Sequence, residues 1–213
     1  FTHSYSKTDT FVISLTAIYT NDCKDSVFKS IIVNPMPVAK FTVQDSTQCI
    51  EYNNFKFSPY ISVLGIQNYY WDFGDGNNSS ADTVAHSYLT VDTFPVLLKI
   101  TSKEGCSDSI SYDVFTKPMP VASFVIWDSS QCLERNDFGF VDKSSILFGK
   151  LNYLWDFGDG NSTGIQNPHH QYTNPDTFTV NLIATSIDGC SDTSGKHTFV
   201  HVHPEPIADF SLI

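Results

Sequence analysis

Trp71-Asp72-Phe73-Gly74-Asp75-Gly76 recurs without change as Trp155-Asp156-Phe157-Gly158-Asp159-Gly160, 84 residues further along the chain. Other landmarks keep this period, since Cys106 follows Cys23 by 83 residues and Cys190 follows Cys106 by 84. A fixed period of this length is the signature of a tandem array of small domains. The chain is therefore interpreted as a series of repeats, and its function as that of an array.

The recurring hexapeptide predicts the end of a core strand followed by a tight turn. Trp71 and Phe73 are two residues apart, so on a strand both face the core while Asp72 faces away. Gly74 to Gly76 then break the strand, because glycine accepts the positive φ that a tight turn needs. Many other short segments alternate in polarity or are β-branched, and no long segment has the 3.6-residue apolar period of a helix. The sequence predicts an all-β chain of β-sandwiches with strands near 38–44, 54–58, 68–73, 84–89, 93–102 and 109–116, and near 121–127, 137–142, 151–157, 169–173, 177–186 and 193–203.

Proline-flanked segments at 35–37, 118–120 and 204–206 mark the joints between repeats. Proline fixes its own φ and biases the preceding residue toward extended backbone, so each joint should be a short, stiff spacer. We expect an extended array in a fragment of a longer protein. Its predicted parts are the C-terminal part of one repeat (1–36), two whole sandwiches (37–119 and 120–205) and the first strand of a further repeat (206–213).

The composition favours packed β domains and excludes some partners. Hydrophobic residues make up 41% and aromatic residues 14% of the chain. The 12 Lys and Arg against 23 Asp and Glu give a net charge of −11, which argues against nucleic acid and anionic membranes as partners. No run approaches the ~20 apolar residues of a membrane helix, so no membrane insertion is expected.

Five cysteines recur with the repeats. Each whole repeat has two, and we expect disulfides within repeats, Cys49 with Cys106 and Cys132 with Cys190, leaving Cys23 as the counterpart of Cys106 and Cys190. The spacing also permits Cys23–Cys49 and Cys106–Cys132 bridges across the joints, which an extended array disfavours. Free thiols in a cytosolic protein are the remaining alternative.

The hexapeptide, a following His-x-Tyr (His86-Ser87-Tyr88, His170-Gln171-Tyr172) and a Thr-Phe-x-Val-x-Leu segment (from Thr93 and Thr177) together resemble PKD (polycystic kidney disease) domains. The resemblance covers essentially the whole chain and implies tandem immunoglobulin-like sandwiches. The cysteine pair resembles the variant found in large secreted bacterial surface proteins and adhesins. It implies an extracellular or cell-surface location.

The motif aspartates invite chemical readings that the sequence does not favour. A catalytic pair needs two carboxyls facing one cleft, and a calcium site needs six to eight grouped oxygens, neither of which the pattern provides. We expect no enzymatic activity and no cofactor, with Ca²⁺ as the weak exception. Weak metal candidates are Asp75, Asp159, His201 and His203, the last two sharing strand parity with His197. Sequons make Asn77, Asn78 and Asn161 glycosylation candidates.

The leading hypothesis is a non-catalytic structural and adhesive region, a stalk, spacer or filament segment of a large cell-surface or secreted protein. Its expected partners are neighbouring repeats of the same chain, with self-association and a surface glycan or protein ligand as further candidates. One alternative is an accessory polysaccharide- or collagen-binding module of a secreted hydrolase, with Trp127, Tyr69 and Tyr60 as exposed aromatic candidates. Another is a self-assembling fibre subunit.

Overall fold

The computed structural model describes residues 2–60, 65–194 and 198–210, and within them every regular element is a β-strand. The predicted all-β class is confirmed, and this part of the chain has no helix long and apolar enough to cross a membrane. The first ten strands are β1 (Asp9–Ile18), β2 (Lys24–Val33), β3 (Phe41–Gln44), β4 (Thr47–Cys49), β5 (Phe55–Pro59), β6 (Ile66–Asp72), β7 (Asn78–Ser79), β8 (Val84–His86), β9 (Thr93–Ser102) and β10 (Ser107–Lys117). The others are β11 (Phe124–Ile126), β12 (Ser130–Cys132), β13 (Phe138–Asp142), β14 (Leu151–Asp156), β15 (Ser162–Thr163), β16 (His169–His170), β17 (Thr177–Thr179), β18 (Asn181–Ser186), β19 (Ser191–Ser194) and β20 (Phe199–His203).

The strands form two compact units. The first comprises Phe1–Ser46, Asn54–His86 and Thr93–Val114, and the second comprises Thr47–Asn53, Ser87–Asp92 and Phe115–Ile213. Strand β10 therefore contributes residues to both units.

The first unit packs two sheets through aromatic side chains. One sheet has the order β3-β5-β8, and the other includes β10-β9-β6-β7. Trp71 on β6 is fully buried and contacts Phe41 on β3 and Phe57 on β5, with ring centroids 5.1 and 5.8 Å apart. The alternation predicted for the hexapeptide thus places its tryptophan and Phe73 between the sheets.

The second unit repeats this arrangement with its own core. Its sheets have the orders β11-β13-β16, β15-β14-β18-β19 and β12-β20-β17. Trp155 on β14 is fully buried and contacts Phe124 on β11 and Phe140 on β13 at 4.9 and 5.4 Å. Phe157 and Val180 complete the same buried cluster.

The β1–β2 hairpin keeps the sequence pattern of the repeat, but its apolar side chains are not buried as they are in the whole repeats. Residues 10–15 correspond to residues 93–98, in which Phe94, Val96 and Leu98 are buried. In the hairpin Ile13 and Leu15 are exposed, because among the described strands β1 and β2 pair only with each other.

The short strands β4 and β12 were not predicted, and they change the cysteine pairing. Each pairs in parallel with a distant strand, β4 with the end of β10 and β12 with the end of β20. Cys49 therefore lies opposite Lys117, whereas Cys106 immediately precedes the other end of β10. At about 3.3 Å per residue, this 11-residue strand separates the two cysteines by roughly 35 Å.

The predicted Cys49–Cys106 and Cys132–Cys190 bridges are consequently wrong in this structure. Cys49 is bridged to Cys190 across a sequence separation of 141, with Cα atoms 5.7 Å apart, and both residues lie in the second unit. Cys23, Cys106 and Cys132 are free thiols. A disulfide needs Cα atoms within about 7 Å, a condition that the two ends of β10 do not meet.

A buried asparagine secures the same loop in each repeat. The Asn53 side chain donates to the carbonyls of Ile50 and Tyr88 and accepts from the Tyr88 amide, at 2.7–2.8 Å. Asn136 makes the equivalent three bonds to Leu133 and Tyr172. These bonds satisfy backbone groups that would otherwise be buried unpaired.

Candidate functional site

The motif aspartates hydrogen-bond their own turn. Asp72 Oδ1 accepts from the Gly74 amide and Asp75 Oδ1 from the Asn77 amide, both at 3.0 Å. Asp156 and Asp159 repeat both bonds at the same distance. These are Asx turns, in which the carboxylate serves backbone donors two residues further on.

The first glycine of each turn is required by close packing as well as by its positive φ. A Cβ on Gly158 (φ +79°) would lie 2.5 Å from the carbonyl oxygen of Thr179, and one on Gly74 (φ +76°) would lie 2.8 Å from Pro95 Cδ. The second glycine, Gly160, also has a positive φ but faces open space. Gly158 is therefore required both by close packing and by its backbone conformation, whereas Gly160 is required by its backbone conformation alone.

Replacing Gly158 by Ala should cost more stability than replacing Gly160 by Ala. Both changes incur the left-handed backbone penalty of about 1–2 kcal/mol. Gly158→Ala adds an overpacking cost of about 1–3 kcal/mol, because backbone atoms have to move. Urea unfolding of the two variants measures the difference, and equal losses would contradict the packing argument.

A histidine lies on the turn in both repeats. His86 Nε2 is 2.7 Å from Asp75 Oδ2, and its ring stacks on Phe73 with centroids 4.1 Å apart. His170 repeats this with Asp159 at 2.8 Å and with Phe157 at 4.0 Å. The histidine thus packs on the core phenylalanine while it holds the turn carboxylate.

The same contacts shift the acidity of the turn. Burial alone would raise the pKa of Asp159, but hydrogen bonds from Asn161 and His170 outweigh it and hold the pKa below its ordinary value of 3.8. The pKa of Asp75 is lowered in the same way by His86 and Asn77. Both carboxylates accept hydrogen bonds from the asparagine and the histidine of their own repeat.

Asp159→Asn should destabilise the protein near neutral pH and much less in acid. A carboxylate with a lowered folded-state pKa contributes stability above its unfolded-state pKa, and this is lost as pH falls through the folded value. The free-energy difference between wild type and variant should therefore shrink below about pH 4. Urea unfolding at a series of pH values measures it, with the exposed Asp209→Asn as control. A difference that stays constant with pH would contradict the assignment.

The weak metal candidates are not brought together. Asp75 and Asp159 lie in separate turns, the His201 ring is 3.0 Å from Thr177 Oγ1, and the His203 ring is 2.8 Å from Ser130 Oγ. Within the described ranges, no three His, Cys, Asp or Glu side chains form a cluster able to hold a metal ion. His197 lies outside the described residues.

Two of the three sequon asparagines contribute to the turn. The side-chain amides of Asn77 and Asn161 donate to Asp75 Oδ2 and Asp159 Oδ2, each at 3.0 Å. A glycan on that nitrogen would compete with the bond. Asn78 is exposed on β7.

A groove on the outer face of the β11-β13-β16 sheet was missed by the sequence reasoning, except for Trp127. It has a volume of about 410 Å³, and its lining residues are Trp127, Asp128, Gln131, Asp137, Gly139, Phe140, Val141, Asn167 and His169. Trp127 is 85% exposed, in contrast to the two buried motif tryptophans. Of the other exposed-aromatic candidates, Tyr60 is exposed and Tyr69 is half-buried on β6.

The sequence-family model of the PKD domain matches residues 34–116 and 120–202. The chain belongs to the PKD-domain family. These two matches cover more than half of the chain and contain both copies of the hexapeptide, its turn and its histidine. In the PKD fold of this chain, the motif thus supplies buried core side chains and the tight turn that follows them.

Similar solved structures include other PKD domains. The PKD1 domain of Vibrio anguillarum Epp is 30% identical over 39% of this chain and 95% of that one, with a TM-score of 0.34. The PKD1 domain of the Vibrio cholerae metalloprotease PrtV is 26% identical over 38% of this chain and 98% of that one, also at 0.34. The N-terminal eight immunoglobulin domains of Down Syndrome Cell Adhesion Molecule are 12% identical, with 92% of this chain and 28% of that one covered at a TM-score of 0.58. The last likeness shows the immunoglobulin-like fold alone.

Proposed function

We propose that this PKD array is a non-catalytic extracellular spacer, a stalk or filament segment that holds other parts of a large surface or secreted protein at a distance. The observation that carries the proposal is the Cys49–Cys190 disulfide. Cys49 is the first, or front, cysteine of one repeat, and Cys190 is the second, or rear, cysteine of the next. A spacer transmits length only if its joints resist bending, and a covalent bridge across a joint supplies that resistance. A structural disulfide also fits an oxidising compartment outside the cell.

The start of the second whole repeat is anchored within the second unit. Pro118 and Pro120 are buried. Beyond them, the Ala122 amide donates to Asp192 Oδ2 at 2.8 Å, and Val121 forms a bridge with Ser145. Proline restricts the backbone at the joint, and these bonds fix the chain where the next strand begins. These contacts leave little unanchored chain between β10 and the second repeat, which supports a stiff connection over a flexible linker.

The free cysteines fit a series of such bridges, in which the front cysteine of each repeat pairs with the rear cysteine of the next. If the same pairing continues, Cys106 pairs with the front cysteine of the preceding repeat and Cys132 with the rear cysteine of the following one. A copy of residues 120–205 inserted after residue 205 tests this. We expect peptide mass mapping to find Cys132 bridged to the added copy of Cys190. A bridge from Cys132 to Cys106, or a reduced Cys132, would contradict this series of bridges.

Small-angle X-ray scattering of the oxidised chain tests the spacer function. A compact globule of 213 residues has a radius of gyration of roughly 17 Å, and a stiff array should lie well above it. A concentration series separates elongation of one chain from self-association. A value near the compact one at low concentration would overturn the proposal.

A further inference from the structure

The outer-face groove around Trp127 has a counterpart in the first repeat with different chemistry. The first-repeat groove has a similar volume, about 400 Å³, and includes Gln44, Lys56 and Ala85 in its lining. Sequence alignment of the repeats puts Trp127 in place of Gln44 and Gly139 in place of Lys56. The strand pairing also puts His169, opposite Gly139, in place of Ala85, opposite Lys56. The second repeat has therefore changed all three side chains on the same scaffold.

Gly139 forms the floor of the groove without a side chain of its own, and the His169 ring packs beside it. Gly139 lies inside β13 opposite His169, and a Cβ there would be 3.3 Å from His169 Cε1. Glycine within a strand costs stability and often marks a place where a ligand approaches the backbone. The absence of a side chain at Gly139 leaves room for the His169 ring, which packs beside the strand where a Cβ would otherwise crowd it.

The polar groups around this floor are held in place. Both carboxylate oxygens of Asp137 lie 3.2 Å from His169 Nδ1, while the Gln131 side chain pairs with the Asp137 backbone. The Asn167 carbonyl oxygen accepts from the Asp142 amide, which directs its NH₂ group. That NH₂ group has no acceptor among the described residues. The groove thus offers oriented donors and acceptors beside an aromatic plane.

We propose that this groove binds a sugar ring of a neutral polysaccharide. A pyranose has a C–H face that stacks on an exposed aromatic ring, and hydroxyls that both donate and accept at its rim, which match Trp127 and the polar groups beside it. Asp128 and Asp137 line the groove without Lys or Arg, and the chain carries a net charge of −11, so an anionic glycan is disfavoured. An extended peptide cannot add to β13 by main-chain pairing, because β11 and β16 already flank it.

Affinity electrophoresis of the oxidised chain tests the site, with hydroxyethyl cellulose, galactomannan and dextran as soluble probes and gelatin as the peptide probe. We expect at least one polysaccharide to retard the wild type. Trp127→Ala and Gly139→Lys should each weaken that retardation by about tenfold or more, since one removes the stacking surface and the other fills the floor. Lys56→Gly, the matched change in the first repeat, should have no effect.

Gly139→Lys puts beside His169 the side chain that the first repeat carries beside Ala85, and its far-ultraviolet circular dichroism should match wild type. Retardation that survives both groove variants, or its absence with all three polysaccharides, would overturn the site. Retardation by gelatin alone would assign the groove to a protein ligand and overturn the sugar proposal. Scattering and disulfide mapping are independent of all these outcomes, so the spacer function is tested separately.

Discussion

Trp155→Ala is expected to lower the free energy of unfolding of the second repeat by about 3–5 kcal/mol. The side chain is fully buried between Phe124 and Phe140, so its removal loses the transfer free energy of a large aromatic group and leaves a cavity. Small domains are stable by only about 5–15 kcal/mol, so this loss should leave the repeat marginal. Urea unfolding followed by circular dichroism measures it.

The exposed Trp127→Ala is the matched control and should change stability by less than about 0.5 kcal/mol. Equal effects of the two substitutions would contradict the placement of the motif tryptophan in the core. The first repeat offers a finer comparison. Trp71 Nε1 donates to the Ala81 carbonyl at 2.9 Å, whereas Trp155 Nε1 has no acceptor among the described residues. Trp71→Phe should therefore cost about 1 kcal/mol more than Trp155→Phe.

Cys49→Ser is the second change with a large expected effect. The bridge closes 141 residues, and loss of a native disulfide typically costs about 2–5 kcal/mol. Thermal unfolding without reductant should show this loss. Dithiothreitol should reproduce it in the wild type and leave Cys49→Ser unchanged.

Cys106→Ser and Cys132→Ser are the controls, because both thiols are free in this chain. Each should stay near wild-type stability. If Cys106→Ser destabilised the protein as much as Cys49→Ser, the two residues would be partners and the assigned pairing would be wrong.

The hexapeptide allowed much of the fold to be predicted because its information is local. Alternation places Trp71 and Phe73 on the core face, and glycine marks the turn, so neither inference needs contacts distant in sequence. The repeat period then extended the inference to the second copy. The observed Asx turns give the motif aspartates hydrogen-bonding partners in the turn, and the expected absence of a chemical role for them stays a prediction.

The cysteine pairing could not be obtained this way. Strand β4 has three residues, too few to show a period, and it pairs in parallel with β10 some 68 residues further along the chain. Without that pairing, Cys49 and Cys106 looked like neighbours in one sandwich. The groove could not be predicted for a related reason, since sequence spacing does not reveal that positions 127, 139 and 169 line one surface. Comparison of Lys56 with Gly139 was the available signal.

Peptide mass mapping of the non-reduced chain tests the central claim most directly. The account predicts that the peptide containing Cys49 is bridged to the peptide containing Cys190, with Cys23, Cys106 and Cys132 open to alkylation. Bridges from Cys49 to Cys106 and from Cys132 to Cys190 would contradict it, since each repeat would then be closed on itself and the joint would carry no covalent link.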